Sequence, residues 1–96
     1  MLIAVPKEIL PDENRVALIP SSISALTKAG MEVLVESGAG AGCFYDNRAY
    51  EEAGAKIAPN ADALYQAADI LFKVRPPEST EVDKLREGSS LICLMD

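Results

Sequence analysis

Five short apolar runs alternate along the chain with segments that carry helix-start and helix-stop signals, and this alternation constrains the fold more than any other feature. The runs are strand-sized and rich in Ile, Leu and Val, which are typical strand residues. Strands that alternate with helices over short links predict right-handed βαβ crossovers and a mostly parallel, twisted sheet covered by helices on both faces. We therefore expect a three-layer α/β fold. The runs cover residues 2–5, 32–35, 56–58, 70–74 and 91–95.

Polar residues that can cap a helix N-terminus stand before each helical segment, and glycines stand where the segments end. Glycine adopts the left-handed conformation beyond a helix C-terminus at the lowest cost, so Gly30, Gly54 and Gly88 predict helix ends. Helices then fit between all successive strands, which favours a flavodoxin/Rossmann-like architecture. The predicted caps are Ser21 or Ser22, Asp46, Asn60, and Ser79 or Thr80.

The last apolar run, Leu91 to Met95, is apolar on both faces, which is the pattern of an interior parallel strand. No helix follows it within the 96 residues to cover it. We therefore expect one domain over residues 1–96 whose sheet is incomplete and ends on its fifth strand, as a fragment of a longer polypeptide. The alternative is that another chain or a second copy covers the exposed sheet, because bare apolar surface favours association.

Charge and hydropathy disfavour several classes of partner. The chain has 15 acidic and 9 basic residues, no histidine and a net charge of −6, which argues against nucleic acid or an anionic membrane surface as the main partner. The apolar run at the amino terminus is too short for a signal peptide and lacks its charged start, and the longest apolar runs are strand-sized. We expect a cytoplasmic domain without direct membrane insertion.

The two cysteines, Cys43 and Cys93, lie far apart in the sequence and have no Cys-x-x-Cys spacing or histidine beside them. This pattern disfavours a metal site and only weakly allows a disulfide. We expect two unpaired thiols, with Cys93 in the core.

Charged side chains follow the predicted strands at their carboxyl ends, where parallel α/β sheets bind ligands. Arg15 follows the first strand across a short polar loop, and Arg75 follows the fourth. A guanidinium flanked by apolar residues needs an anionic partner, and a carboxylate or phosphate suits it. Arg15 and Arg75 are therefore the predicted substrate-binding residues. The charged residues at this edge are Lys7, Glu8, Arg15, Lys73, Arg75 and Asp96.

The lysines of this edge have a plainer interpretation. Strand alternation places Lys73 on the same face as Arg75, which allows both to point toward one anion. Lys7 and Lys73 are nevertheless expected to form weak surface pairs with nearby carboxylates. The available partners are Glu8, Glu78 and Glu81.

The segment Gly38 to Cys43 resembles the start of a dinucleotide-binding fingerprint, but its spacing is wrong. The pattern G-x-G-x-x-G needs glycine where Cys43 stands, and a helix should follow directly. We interpret the segment as a tight glycine turn. Without histidine, no serine or cysteine can be activated as in a catalytic triad within this chain.

Several segments in matching order and spacing resemble one family, the amino-terminal domain shared by alanine dehydrogenase and the alpha subunit of the proton-translocating NAD(P) transhydrogenase. The resemblance spans the whole chain. The segments are Val5-Pro6-Lys7-Glu8, Asn14-Arg15-Val16-Ala17, Val35-Glu36-Ser37-Gly38-Ala39-Gly40, Ala53-Gly54-Ala55, Ala68-Asp69-Ile70-Leu71-Phe72-Lys73-Val74 and Leu85-Arg86-Glu87-Gly88.

The resemblance implies roles for three positions. In alanine dehydrogenases the arginine matching Arg15 holds the substrate carboxylate, a lysine stands at the position of Arg75, and an acid–base histidine stands at the position of Asp96. Arg75 and Asp96 are therefore the catalytic candidates, although an ionised aspartate cannot donate a proton and arginine cannot exchange one at neutral pH. These differences disfavour alanine oxidation.

The stretch from Phe72 to Pro77 looks more like transhydrogenase alpha subunits, which transfer hydride from NADH to NADP. The resemblance implies that NAD(H) is held mainly by a downstream Rossmann-type domain absent here. It also implies a homodimer, partner subunits that include a membrane subunit, and a position at the inner face of the membrane. The isolated chain is expected to have no turnover. The alternatives are an alanine dehydrogenase-like or saccharopine dehydrogenase-like domain that binds a keto acid through Arg15 and Arg75, and a non-catalytic oligomerisation module.

Overall fold

A five-stranded sheet in which every paired strand is parallel forms the centre of the computed structural model, which describes residues 2–8, 18–40, 45–74 and 88–93. The strand order is β3-β2-β1-β4-β5. This arrangement confirms the predicted α/β class and the parallel sheet that ends on a fifth strand. The strands are β1 (Leu2–Val5), β2 (Glu32–Glu36), β3 (Lys56–Ala58), β4 (Ile70–Lys73) and β5 (Ser90–Cys93), and the described helices are α1 (Pro20–Lys28), α2 (Asn47–Glu52) and α3 (Ala61–Ala67).

The sheet lies between two hydrophobic clusters, one on each face. Alternation along β2 sends Val33 and Val35 to one face, where they pack with Ile23 of α1 and Tyr50 of α2. The opposite face carries the second cluster, formed by α3 with residues of β1, β3 and β4. The predicted three layers are therefore confirmed. The members of the second cluster are Ala4, Ala58, Leu64, Tyr65, Ala68 and Leu71.

Two of the predicted helix caps are confirmed. Asp46 Oδ1 accepts a hydrogen bond from the Ala49 amide at 2.9 Å, and Asn60 Oδ1 accepts one from the Ala63 amide at 2.9 Å. Each side chain satisfies one of the amides that a helix start leaves without a partner. The predicted cap at Ser79 or Thr80 lies outside the described residues.

The prediction of Ser21 or Ser22 as the first cap is wrong. Helix α1 begins at Pro20, its N-cap residue is Ile19, and no side chain caps it. Proline suits the first helical position because its fixed φ is helical and the amide it lacks would have had no partner there. Because of this preference, α1 begins one residue before Ser21. Two of the predicted helix ends are confirmed, since Gly30 and Gly54 follow α1 and α2 with φ values of 90° and 104°, whereas the helix predicted before Gly88 lies outside the described residues.

We expect Asp46→Ala to lower the free energy of unfolding by about 1 kcal/mol, because the Ala49 amide loses its acceptor. Asp46→Asn keeps a side-chain oxygen and should cost less. Urea unfolding followed by circular dichroism measures both, with Glu51→Ala, an exposed change in the same helix, as the control. Equal losses in the alanine and asparagine variants would contradict the capping role.

Within the described residues, strand β5 stands at one end of the strand order. Among the described residues it pairs only with β4, and Ile92 is 41% exposed. Cys93 is also exposed, so the prediction that it lies in the core is wrong. An apolar sequence alone does not bury a strand. The burial of β5 depends on which residues cover it. Cys43 lies outside the described residues.

Candidate functional site

The carboxyl ends of β1 and β4 form the point at which the strand order reverses. From β1 the chain continues to β2 on one side of the sheet, whereas from β4 it continues to β5 on the other. In open parallel sheets such a switch point leaves a crevice where ligands bind. The candidate site is therefore the edge that carries Lys7 and Glu8 after β1 and Lys73 and Val74 at the end of β4.

A buried ion pair joins the two strand ends at this crevice. Lys73 Nζ lies 3.0 Å from Glu8 Oε1, and the two side chains are only 1% and 2% exposed. The second oxygen, Glu8 Oε2, accepts a hydrogen bond of 3.1 Å from the Val74 amide. One carboxylate thus binds both the side chain of Lys73 and the main chain of the next residue.

This pair corrects the prediction for Lys73, which places it in a weak surface pair. Glu8 is its partner, but the pair is buried. The sequence signal that indicates burial is the position of Lys73 two residues after Leu71, so that both lie on the same face of β4. Since Leu71 is fully buried in the core on that face, Lys73 needs a partner there.

The pair changes the electrostatics of the edge. Because the charges of Lys73 and Glu8 compensate one another at contact distance, Lys73 adds little to the attraction of an outside anion. A buried charge that lost its partner would be strongly unfavourable. Lys73 is therefore better described as part of the framework than as a ligand-binding cation.

Lys7 lies at the exposed rim of the same edge. Its backbone amide donates to Glu36 Oε1 at 3.0 Å, and its Nζ lies 3.8 Å from the point where a Cβ on Gly38 would stand. Its exposure agrees with the prediction, but Lys7 forms no ion pair with another described residue. Glu8, one of its predicted partners, faces Lys73 instead.

The predicted glycine turn follows β2, and the described residues confirm it as far as Gly40. The Gly38 amide donates to Asn47 Oδ1 at 2.9 Å, and the Ala39 amide donates to the Glu36 carbonyl at 2.9 Å. These amides are used within the protein, whereas a phosphate-binding loop directs its amides at the ligand. A Cβ at Gly40 would lie 2.6 Å from Tyr50 Cε2, so glycine is required there by packing.

The three predicted ligand-binding and catalytic positions, Arg15, Arg75 and Asp96, lie outside the described residues. What the structure describes is the framework beside two of them: Arg75 directly follows Val74, and Leu18 stands three residues after Arg15. The Leu18 carbonyl accepts a hydrogen bond of 3.0 Å from the Tyr50 hydroxyl. Sequence reasoning missed Glu8 and Tyr50 as supports of this edge.

Away from the switch point, the described part of the chain offers few other binding features. No group of three or more potential metal-ligating side chains occurs within it, and none of its helices is long and apolar enough to cross a membrane. A small hollow lined by Leu2, Glu32 and Lys56 lies at the amino-terminal edge of the sheet. It is at the opposite end from the Glu8–Lys73 pair and contains none of the predicted site residues.

Strand order and site together define an α/β domain that resembles nucleotide-binding folds but carries an internal carboxylate at its switch point. Residues 4–96 match the family model described as the alanine dehydrogenase/PNT N-terminal domain. The chain belongs to this family, as its sequence resemblance predicts.

Both branches of the family are similar to the chain at comparable levels. It is 45% identical over 92 residues to the NAD(P) transhydrogenase subunit alpha of Cereibacter sphaeroides, covering 96% of the chain and 18% of that protein. It is 46% identical over 88 residues to the alanine dehydrogenase of Bacillus subtilis (strain 168), covering 92% of the chain and 23% of that protein. The chain thus spans about a fifth of the length of these relatives.

Solved structures of both branches share the fold. A transhydrogenase from Sinorhizobium meliloti superimposes with a TM-score of 0.92 at 36% identity, covering 99% of this chain and 28% of that one. An L-alanine dehydrogenase superimposes with a TM-score of 0.93 at 36% identity, covering 99% of this chain and 26% of that one. The chain therefore shares its fold with both branches of this oxidoreductase family.

Proposed function

We propose that this chain is the amino-terminal part of an NAD(P) transhydrogenase alpha subunit. In this role it forms one wall of the cleft in which NAD(H) reacts, and hydride passes between NADH and NADP with coupled proton translocation. The nucleotide itself is held by a separate Rossmann-type domain of the longer polypeptide. The 96-residue chain alone contributes the wall and has no turnover.

The observation that carries this proposal is the filled switch point between β1 and β4. Where a Rossmann domain accommodates the pyrophosphate, this chain holds the Glu8 carboxylate, 3.0 Å from Lys73 Nζ. The amides of Gly38 and Ala39 in the glycine turn are likewise taken by internal acceptors. The described residues therefore do not fit a dinucleotide in the usual Rossmann position. This supports NAD(H) being bound mainly outside this chain.

The choice of transhydrogenase over alanine dehydrogenase rests on Arg75 and Asp96. Alanine oxidation needs a group that takes up and releases a proton, and neither an arginine nor an aspartate of ordinary pKa does so at neutral pH. Direct hydride transfer between two nicotinamides needs no such group. In this proposal Arg15 and Arg75 form an anion-binding edge, and Asp96 has no acid–base role.

The proposal also specifies an assembly. The full-length subunit forms a homodimer and works with other transhydrogenase subunits, one of which is embedded in the membrane. The domain itself lies in the cytoplasm beside the inner face of that membrane. Two of the similar relatives are themselves alpha subunits, which supports the existence of further subunits.

The test compares the product of the full reading frame that contains this chain, assembled with its partner subunits, with the isolated 96-residue chain. We expect NADH-dependent reduction of an NADP analogue by the assembled protein and none by the isolated chain. We also expect the isolated chain, verified as folded by circular dichroism, to show no saturable NADH binding up to about 1 mM, which corresponds to roughly −4 kcal/mol.

The same experiment separates the competing function. Alanine-dependent reduction of NAD by the full-length protein, without transfer to the NADP analogue, would replace the proposal with the alanine dehydrogenase alternative. The observation that favours this alternative is the 46% identity to one such enzyme. NADH oxidation by the isolated chain would overturn the assignment of the nucleotide site to another domain.

A further inference from the structure

We propose that Lys7 and Ser37 form a phosphate-binding subsite at the carboxyl-terminal edge of the sheet, beside the glycine turn. Its ligand is a phosphate group, which is bound by the Lys7 ammonium and the Ser37 hydroxyl. The subsite deepens the proposed function, and it rests on that function only where the phosphate is taken to be part of NAD(H). Neither residue belongs to the predicted anion-binding pair of Arg15 and Arg75.

Strand register places Lys7 beside Ser37. In the parallel pair of β1 and β2, Val5 stands opposite Val35, and Lys7 and Ser37 follow these residues at the same distance along the chain. Extending the register therefore sets the two side chains next to each other, on the face that carries the two valines. The position of the lysine agrees, because its Cδ and Nζ lie 4.0 and 3.8 Å from the point where a Cβ on Gly38 would stand.

The hydrogen bonds of Asn47 leave the Ser37 hydroxyl proton available. The Gly38 amide donates to Asn47 Oδ1 at 2.9 Å, and a backbone amide can only donate, which fixes the orientation of the Asn47 side chain. Asn47 Nδ2 therefore faces Ser37 Oγ and donates to it at 2.9 Å. Because Ser37 Oγ is the acceptor in that bond, its own proton is directed elsewhere. No described residue accepts that proton.

The Lys7 ammonium differs from that of Lys73 in having no ion-pair partner among the described residues. Lys7 is exposed, whereas Lys73 is buried 3.0 Å from Glu8. A neighbouring carboxylate, Glu36, accepts from the backbone amide of Lys7 at 3.0 Å rather than from its Nζ. The lysine charge is therefore available to an anion but is partly opposed by Glu36, so we expect weak binding in the millimolar range.

The space beside Gly38 suits a phosphate group. Among the described atoms outside its own segment, a Cβ at Gly38 would meet only Lys7 within 4 Å, and the φ of 83° at this position favours glycine. The open space is thus bordered by a lysine ammonium, which binds phosphate as a point charge, and by a hydroxyl that adds a directed hydrogen bond. Side chains form this subsite, since the amides of the turn have internal acceptors.

NMR titration of the 96-residue chain with inorganic pyrophosphate at constant ionic strength tests the subsite. We expect saturable shifts of the Ser37 and Gly38 amide signals in the low millimolar range. Lys7→Gln should weaken binding about tenfold or more and Ser37→Ala about threefold, as for the loss of a charged and of a neutral hydrogen bond. Lys56→Gln removes an exposed lysine at the opposite edge and, as the matched control, should bind within about twofold of wild type.

Amide hydrogen exchange at Gly38 shows whether the turn is intact, because its bond to Asn47 Oδ1 does not involve Ser37. Protection should persist in Lys7→Gln and Ser37→Ala. If Ser37→Ala loses it, the exposed Lys7→Gln decides: weakened binding supports the proposal, and wild-type affinity overturns it. The proposal is also overturned if the wild-type chain shows no shift of these signals up to about 30 mM pyrophosphate, or if acetate binds as tightly.

The full-length protein, assembled with its partner subunits, identifies the source of the phosphate. If Lys7→Gln raises KM for NADH about threefold or more with kcat nearly unchanged, the subsite takes a phosphate of the nucleotide. An unchanged KM, together with pyrophosphate binding by the wild-type chain, assigns the subsite to a free phosphate compound. The titration requires no hydride transfer, so loss of the proposed function and loss of the subsite are separate results.

Discussion

Glu8→Gln as a single change is expected to lower the free energy of unfolding by about 3–5 kcal/mol, because it leaves the Lys73 ammonium buried beside a neutral amide. Lys73→Met should cost a similar amount, since it leaves the Glu8 carboxylate without its cation. Urea unfolding monitored by circular dichroism measures both losses, and a domain of this size can lose most of its stability in this way.

The double variant, Glu8→Gln with Lys73→Met, shows whether the two stability losses come from one ion pair or from two unrelated positions. When both charges are removed together, the free energy of unfolding should return to within about 1 kcal/mol of wild type, because no unpaired charge remains buried. The exposed pair of Arg48 and Glu52, with side chains 84% and 69% accessible, is the control. Breaking it should change stability by no more than about 0.5 kcal/mol. If the double variant instead lost the sum of the two single losses in free energy of unfolding, Glu8 and Lys73 would not stabilise one another as a pair.

The second large effect is expected at Tyr50, which is 1% exposed and belongs to the core cluster beneath α1 and α2. Its ring packs edge-on against Tyr45 with centroids 6.4 Å apart, and its hydroxyl donates to the Leu18 carbonyl. Tyr50→Ala should therefore lower the free energy of unfolding by about 3–5 kcal/mol, as is typical when a large aromatic side chain is removed from a core.

Tyr50→Phe is the matched variant, because it keeps the ring and removes only the hydroxyl. It should cost about 1 kcal/mol, the net contribution of one partly buried hydrogen bond to the Leu18 carbonyl. Thermal unfolding of both variants measures the two losses of stability and so gives their ratio. If phenylalanine were as destabilising as alanine, the hydrogen bond to Leu18 rather than the packing of the ring would be the main contribution of Tyr50.

Local sequence patterns were sufficient for most of the fold. Apolar runs located the strands to within one or two residues, and Asp46 and Asn60 marked two helix starts, because capping and strand periodicity act between near neighbours. The error at Ser21 and Ser22 has the same local character, since Pro20 starts α1 without a side-chain cap. These features depend on residues close together in the sequence.

The features that sequence patterns did not predict depend on strand order. Glu8 and Lys73 stand 65 residues apart, and their burial follows only once β1 and β4 are known to be neighbours. The exposure of Cys93 likewise follows from the place of β5 at the end of the order. A charged residue in a strand can therefore be predicted to be buried when its neighbours on the same face are apolar. Its partner can be identified only when the order of the strands is known.

The adjacency of β1 and β4 also has a consequence for biosynthesis. β1 is synthesised before the other described strands, yet one of its two neighbours, β4, lies about 65 residues later. At translation rates of about 5–20 residues per second, roughly 3–13 s pass between the synthesis of Glu8 and that of Lys73. During that interval the central strand has one unfilled side. The middle of the sheet, although it contains the earliest of the described strands, is completed late, and this interval is when a chaperone or an early partner has access to it.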